Sequence, residues 1–365
     1  MAKLMQPLVA ASHRWVNINF KLSDAMLECL ESYSPSLPFL EQLRIDLCTR
    51  QIYEEVPTIE IFANAPRLRV LRIGFNVTET FPKVPWSQIR EFSSAGWEAG
   101  SITQHEIIVL MTGLERCQLY IEDEQVGNDA PEVHLPNLHS LSLRFSDSSD
   151  DSISILSKLR PPNLTNLSFQ TNHPLSRSWT AIAKPLAAFL TGCAIRKLTL
   201  SAVGRLESVE EIDVVKVLRA TPELEELQLL DLFTSLLART GWSSFGALEL
   251  ESKGTPSLVP KLRLFELRYV PGLANDVMVN AICARSAAAA SHLKTITIWG
   301  TKNQERSPLY NLDGDLLLQA YAQWDLLRDA GLNVRIVWDD IAQTTDRMGA
   351  LSDWQRDWMG GELSQ

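Results

Sequence analysis

Long apolar runs, paired cysteines, catalytic signatures and an excess of positive charge are all missing from this sequence. No stretch approaches the roughly 18 uninterrupted apolar residues that a membrane helix needs. The short apolar run between Met1 and Ala11 is broken by Gln6 and Pro7 and followed by His13-Arg14, unlike a targeting segment. Basic residues number 34 against 44 acidic ones, a net charge of −10 with a pI near 5.2, which disfavours nucleic acid as a partner because phosphate binding draws on a basic face. The cysteines, Cys29, Cys48, Cys117, Cys193 and Cys283, are five, scattered and without a CxxC pair, which points to a reducing compartment, cytoplasmic or nuclear.

The signatures of phosphate-binding loops, dinucleotide folds, zinc proteases and serine hydrolases are absent too, so neither an enzyme nor a cofactor is expected. His134 and His139 are close enough to suggest a metal, but residue 139 adjoins a strand and reads as structural. Asp147, Asp150 and Asp151 lack the glycine and closing glutamate of a calcium loop and read as a solvated turn. The glycosylation patterns at Asn76 and Asn163 overlap core-forming positions and are discounted.

What the sequence does have is a recurring spacing. Leu68, Leu71, Ile73 and Asn76 fit L-x-x-L-x-L-x-x-N, the spacing of a leucine-rich repeat. Leu71 and Ile73 are two apart, so on a strand they share one face while Arg72 points to the other. One such unit cannot bury its own apolar face, so recurrence is what gives the pattern meaning. It recurs at starts 40, 68, 89, 114, 138, 164, 195, 224, 262 and 293, the one at Ile89 being weak, and Val334–Val337 reads as a last strand. Cys48 and Cys117 fall on these positions, where packing accounts for them. The starts are 21 to 38 residues apart, which suits segments of varying length on the far side of a common sheet.

The expectation is an α/β leucine-rich-repeat solenoid: a curved, mostly parallel sheet on the concave side, with helices and loops on the convex side. Residues 1–36 form an N-terminal cap, 37–338 an irregular solenoid and 339–365 a tail, in which Trp354 and Trp358 favour a capping helix. The first segment contributes a strand around Trp15–Phe20 and a helix from Asp24. Helices are expected at 105–111, 152–156, 180–190, 209–220, 277–290 and 313–330, with a helical turn at 59–63. The insertion 233–260 is the longest loop. The position of Asn76 recurs as Asn or Cys in only three of nine units, so a polar ladder should fade after Val203.

Several features keep a characteristic order. Pro85-Trp86-Ser87-Gln88-Ile89 opens one repeat, Ala-Pro-x-Leu-x-x-Leu-x-Ile runs from Ala65 and Thr-Pro-x-Leu-x-x-Leu-x-Leu from Thr221, and Gly331-Leu332-Asn333-Val334-Arg335-Ile336 closes the series. Over Ser12 to Trp338 the chain resembles the leucine-rich-repeat portion of the large mushroom-type fungal family of F-box proteins. The resemblance implies a substrate-recognition subunit of a ubiquitin ligase, holding a protein partner on the concave face. In the family a helical F-box docks on a Skp-type adaptor. His13-Arg14-Trp15-Val16-Asn17-Ile18 looks like the segment that follows it, so residues 1–365 alone are not expected to bind the adaptor unless an F-box lies upstream. The alternative is a stand-alone leucine-rich-repeat scaffold unconnected to ubiquitin.

The candidate binding residues lie between and beside the buried pairs: Arg72, Arg116, Tyr120, Arg144, Arg268 and Trp299. Arg, Tyr and Trp dominate interface hot spots. The first four are expected to line up on adjacent strands as a basic, aromatic-edged strip suited to an acidic or phosphorylated segment. The competing expectation is that Asp46 and Glu122 occupy these arginines.

Overall fold

Eight of the sheet strands begin from the same small device. The N–H of the first repeat leucine closes a tight turn onto the carbonyl three residues back: Leu40 on Leu37, Leu68 on Ala65, Ile89 on Trp86, Leu114 on Met111, Leu138 on Leu135, Leu164 on Pro161, Leu224 on Thr221 and Leu262 on Val259. In six of these eight turns the second residue is proline (Pro38, Pro66, Pro136, Pro162, Pro222, Pro260), whose fixed φ suits that position. The turn plugs its leucine into the core and aims the chain into a strand.

The computed structural model describes residues 2–23, 26, 29–30, 32, 35–47, 60–74, 83–94, 104–121, 126–127, 129–145, 153–171, 179–202, 211–231, 258–268, 282–283, 285–287, 291–301, 322 and 325–339. The expectations for Cys48, Glu122, Asp147, Asp150 and Asp151, most of the 233–260 insertion and the tail tryptophans lie outside them. So do all the ladder positions except Thr301. The fold is α/β, with a large, mostly parallel sheet of twelve strands that is not closed into a barrel. It divides into two compact units, Met1–Leu164 and Thr165–Gln365.

In the first unit the sheet strands are β1 (Asn17–Leu22), β2 (Gln42–Leu47), β3 (Val70–Ile73), β4 (Glu91–Ser94), β5 (Arg116–Ile121) and β7 (Ser140–Phe145), hydrogen-bonded in that order and all parallel. The register stacks like on like. Leu43, Leu71, Phe92, Cys117 and Leu141 form one row, and all are buried. Ile45 opposes Ile73 and Leu119 opposes Leu143 in a second row, also buried. Between strands a single carbonyl serves twice: Glu41 O accepts from Arg69 and Val70, Arg69 O from Arg90 and Glu91, Arg90 O from Glu115 and Arg116. Both lone pairs are used, so no backbone acceptor is left bare where the coils meet.

Short helices α1 (Ala2–Ala10) and α2 (Gln104–Val109) belong to this unit. The segment around Phe62 is a turn, closed by Ala63 N–H on Glu60 O, with Phe62 fully buried. At 154–157 the chain forms a 3₁₀ helix. Beside it runs a two-stranded parallel sheet of β6 (Val133–His134) and β8 (Leu159–Arg160).

The second unit repeats the plan with β9 (Asn166–Thr171), β10 (Lys197–Ala202), β11 (Glu226–Asp231), β12 (Leu264–Arg268), β13 (Thr295–Thr301) and β14 (Asn333–Asp339). Leu167, Leu198, Leu227, Phe265 and Ile296 form one buried row and Phe169, Leu200, Leu229 and Leu267 another. Helices α3 (Trp179–Thr191) and α4 (Glu211–Arg219) pack together, and Trp179 lies fully buried edge-on to Phe169.

Arg285, from the expected 277–290 helix, is buried and donates to the carbonyls of Leu258 and Val259. Val259 holds φ at +41°, a costly conformation for a β-branched residue, and its carbonyl also takes the N–H of Leu262. Burial pushes the Arg285 guanidinium down to about 10.

Candidate functional site

A strand that buries alternate residues must present the others on its second face. In the first unit that face carries, row by row, Gln42, Val70, Glu91, Arg116 and Ser140, then Arg44, Arg72, Ser93, Gln118 and Ser142. Beyond these, Tyr120 opposes Arg144. It is not a freely solvated surface: Ser93 is 5% exposed and Ser142 9%, and the Ser93 hydroxyl donates to Gln118 Oε1 at 3.4 Å.

In the first unit the structure brings together two of the expected residues. The Arg144 guanidinium lies over the Tyr120 ring, 5.3 Å from its centroid. Such a contact favours an arginine that has lost water, and burial lowers the Arg144 pKa. Arg72 and Arg116 stand apart, with β4 between their strands and the register placing them in different rows. Arg116 Nη2 pairs with Glu91 Oε1 at 3.0 Å.

Arg44 donates from Nε to Asp46 Oδ2 at 3.0 Å. That carboxylate sits over Gly74, where a Cβ would come within 1.6 Å of Asp46 Oδ1. Arg72 is different. Its neighbours in the row are Arg44 and Ser93, and its Nε is buried without a hydrogen-bond partner. Burial lowers its pKa, Arg44 adds to the drop and Glu91 opposes it.

In the second unit the equivalent row is closed on itself. Thr199 Oγ1 donates to Gln228 Oε1 at 2.8 Å, and Gln228 Nε2 donates to Glu266 Oε2 at 2.6 Å. Thr199, Ser201, Gln228 and Thr297 are all buried. Arg268 and Trp299 are in register on β12 and β13, directly opposite each other.

Sequence reasoning passed over Glu91 and Ser93 because their repeat is degenerate, with Ser94 where a second core aliphatic belongs. The turn from Trp86 to Ile89 was the available signal: once Ile89 is the first core residue, Glu91 and Ser93 must face outward. Ser94 is instead drawn into a buried polar cluster, its hydroxyl 3.4 Å from Gln104 Oε1 and from the Tyr120 N–H, while Gln104 Nε2 is 3.5 Å from Tyr120 O.

Among the described residues, nothing in the geometry assembles a reaction centre from the cysteines. Burial pushes the Cys117 thiol far up and that of Cys193 to about 11, so neither is a thiolate near neutral pH. His134 is exposed on β6 and His139 is half-buried just before β7. Among the described residues no group of three or more His, Cys, Asp or Glu side chains is placed to hold a metal ion. Nor, among them, is any helix long and apolar enough to cross a membrane. No family model matches the chain, and no curated protein matches it.

Proposed function

We propose that this chain is a non-enzymatic protein-binding module: a leucine-rich-repeat solenoid that holds a protein segment across the polar face of its sheet, as the substrate-recognition part of an F-box-type ubiquitin ligase. One observation carries the binding reading. The face opposite the leucine rows is lined by half-buried, oriented polar groups and carries an aromatic–arginine stack and a guanidinium whose Nε has no hydrogen-bond partner. Such groups are already partly desolvated and fixed in place, which lowers the cost of association. An extended segment lying across parallel strands meets a new set of side chains at each step of about 4.8 Å.

The test is affinity capture with the full chain and identification of what it retains. Gln118→Trp places a bulky ring in the middle of the face and should abolish capture. His134→Trp, at an exposed site on the small sheet, should leave it intact. Equal capture by both variants would refute the reading. Stoichiometric recovery of a Skp-type adaptor and a substrate in one complex would support the ligase role, and a partner recovered without any adaptor would remove it.

A further inference from the structure

We propose that Arg72 is the anchor of that face and that it takes a carboxylate of the bound segment, not a dianionic phosphate. The inference rests on the binding reading above and adds the chemistry of the ligand. Three guanidinium groups lie on this part of the face, Arg44, Arg72 and Arg116, and two carboxylates accompany them. Asp46 is taken by Arg44 and Glu91 by Arg116. That leaves Arg72: Arg116 Nε is unsatisfied too, but Arg116 is paired through Nη2, whereas Arg72 forms no hydrogen bond or ion pair among the described residues.

An unsatisfied, desolvated donor in a native structure needs a reason, since leaving it without a partner destabilises the fold. The register makes the position still less comfortable, because Arg44 and Arg72 are direct cross-strand neighbours of like charge. A charge that is costly in the free protein and partnered in a complex is a recognition device. The second unit shows that this sheet can close its polar row, through Thr199, Gln228 and Glu266. In the first unit Ser93 and Gln118 bond to each other and Arg72 is left over.

Charge decides the ligand. The local sum is one net positive charge, which a monoanionic carboxylate balances and a phosphate monoester, carrying about −1.5 to −2 at neutral pH, overshoots. The excess would fall beside Asp46 and Glu91. Lys21 is one strand from Asp46 but two strands and two residues from Arg72, roughly 10 Å or more, and exposed, so it does not share a ligand held on Arg72. The carboxylate reaches the Arg72 Nη atoms; its source is either an acidic side chain or a free chain terminus.

The test uses the full chain labelled with ¹⁵N-arginine, the Arg72 Nε–H signal being assigned by its loss in Arg72→Lys. Three blocked probes are titrated to about 10 mM, where a single charge-assisted contact is measurable: acetyl-Gly-Glu-Gly-amide, acetyl-triglycine with a free C-terminus, and acetyl-Gly-phosphoserine-Gly-amide. A saturable shift of Arg72 with either carboxylate probe, weakened at least several-fold by raising salt, is the expected result, and the better of the two names the source. No Arg72 shift, or a shift confined to Arg144, overturns the assignment. A phosphoserine probe about tenfold tighter than both carboxylates overturns the preference for a monoanion. Because these signals come from the wild-type chain, a failure here is separable from a failure of partner capture.

Discussion

A residue on this sheet is constrained by what lies one strand away. Gly74 illustrates it: the Asp46 carboxylate occupies the space a Cβ would take. Gly74→Ala should therefore displace Asp46 from Arg44 and cost about 1–3 kcal/mol. In an Asp46→Ala background, where only the Asp46 Cα at 3.3 Å remains close, the same substitution should cost clearly less. A double-mutant cycle by chemical denaturation measures the coupling, and additive effects would contradict the close approach. Cys117 offers a pH test. Its thiol is raised from the ordinary 9.0, so above that pH the unfolded chain releases a proton that the folded chain retains. The unfolded state then binds fewer protons, and stability falls with rising pH by about 1.4 kcal/mol per unit. Comparing wild type with Cys117→Ala between pH 8 and 11 (roughly the span of the effect) isolates this slope, which the variant should lack.

At the scale of elements, much was legible because the signals were local. The x-Pro-x-Leu turns mark the strand starts, and alternation then dictates which residues go inside. Helices α3 and α4 fall within a residue or two of the spans their patterns suggest. What escaped was set by partners distant in sequence. β6 and β8 pair over two residues each, too short for any periodicity. The buried hydrogen bonds from Thr199 through Gln228 to Glu266 exist only once register is fixed. The carboxylate serving Arg116 is Glu91, from the repeat with the weakest pattern. Arg285 likewise looked like one more residue of a helix-forming stretch, yet it satisfies two carbonyls of the preceding repeat.

The helical turn ending at Ala330 shows a legible stop. Gly331 has φ +83°, its N–H meets Arg328 O, and Leu332 N–H meets Leu327 O, with both leucines buried. This is the Schellman arrangement. Gly331→Ala should cost about 1–2 kcal/mol, seen as a lower denaturation midpoint at unchanged m-value.

At the scale of the whole molecule, the strand order matters most. In each unit a sheet strand bonds only to its neighbours in sequence, so damage should spread by adjacency. Leu141→Ala removes a fully packed side chain and should cost about 2–5 kcal/mol. Hydrogen exchange should then quicken first in β7, its own strand, and the adjacent β5, and least in β1 and β2. Uniform acceleration across the first unit would show a single indivisible core instead.

The carbonyls that accept two N–H groups from the next coil have a mechanical side. Gripped at β1 and β7 and drawn apart, the first unit would be loaded along its hydrogen bonds, not across them. Such a sheet yields like a zip, one strand at a time and at low force. Each release would be held at the next doubly bonded carbonyl, so the extension trace should step by one repeat length.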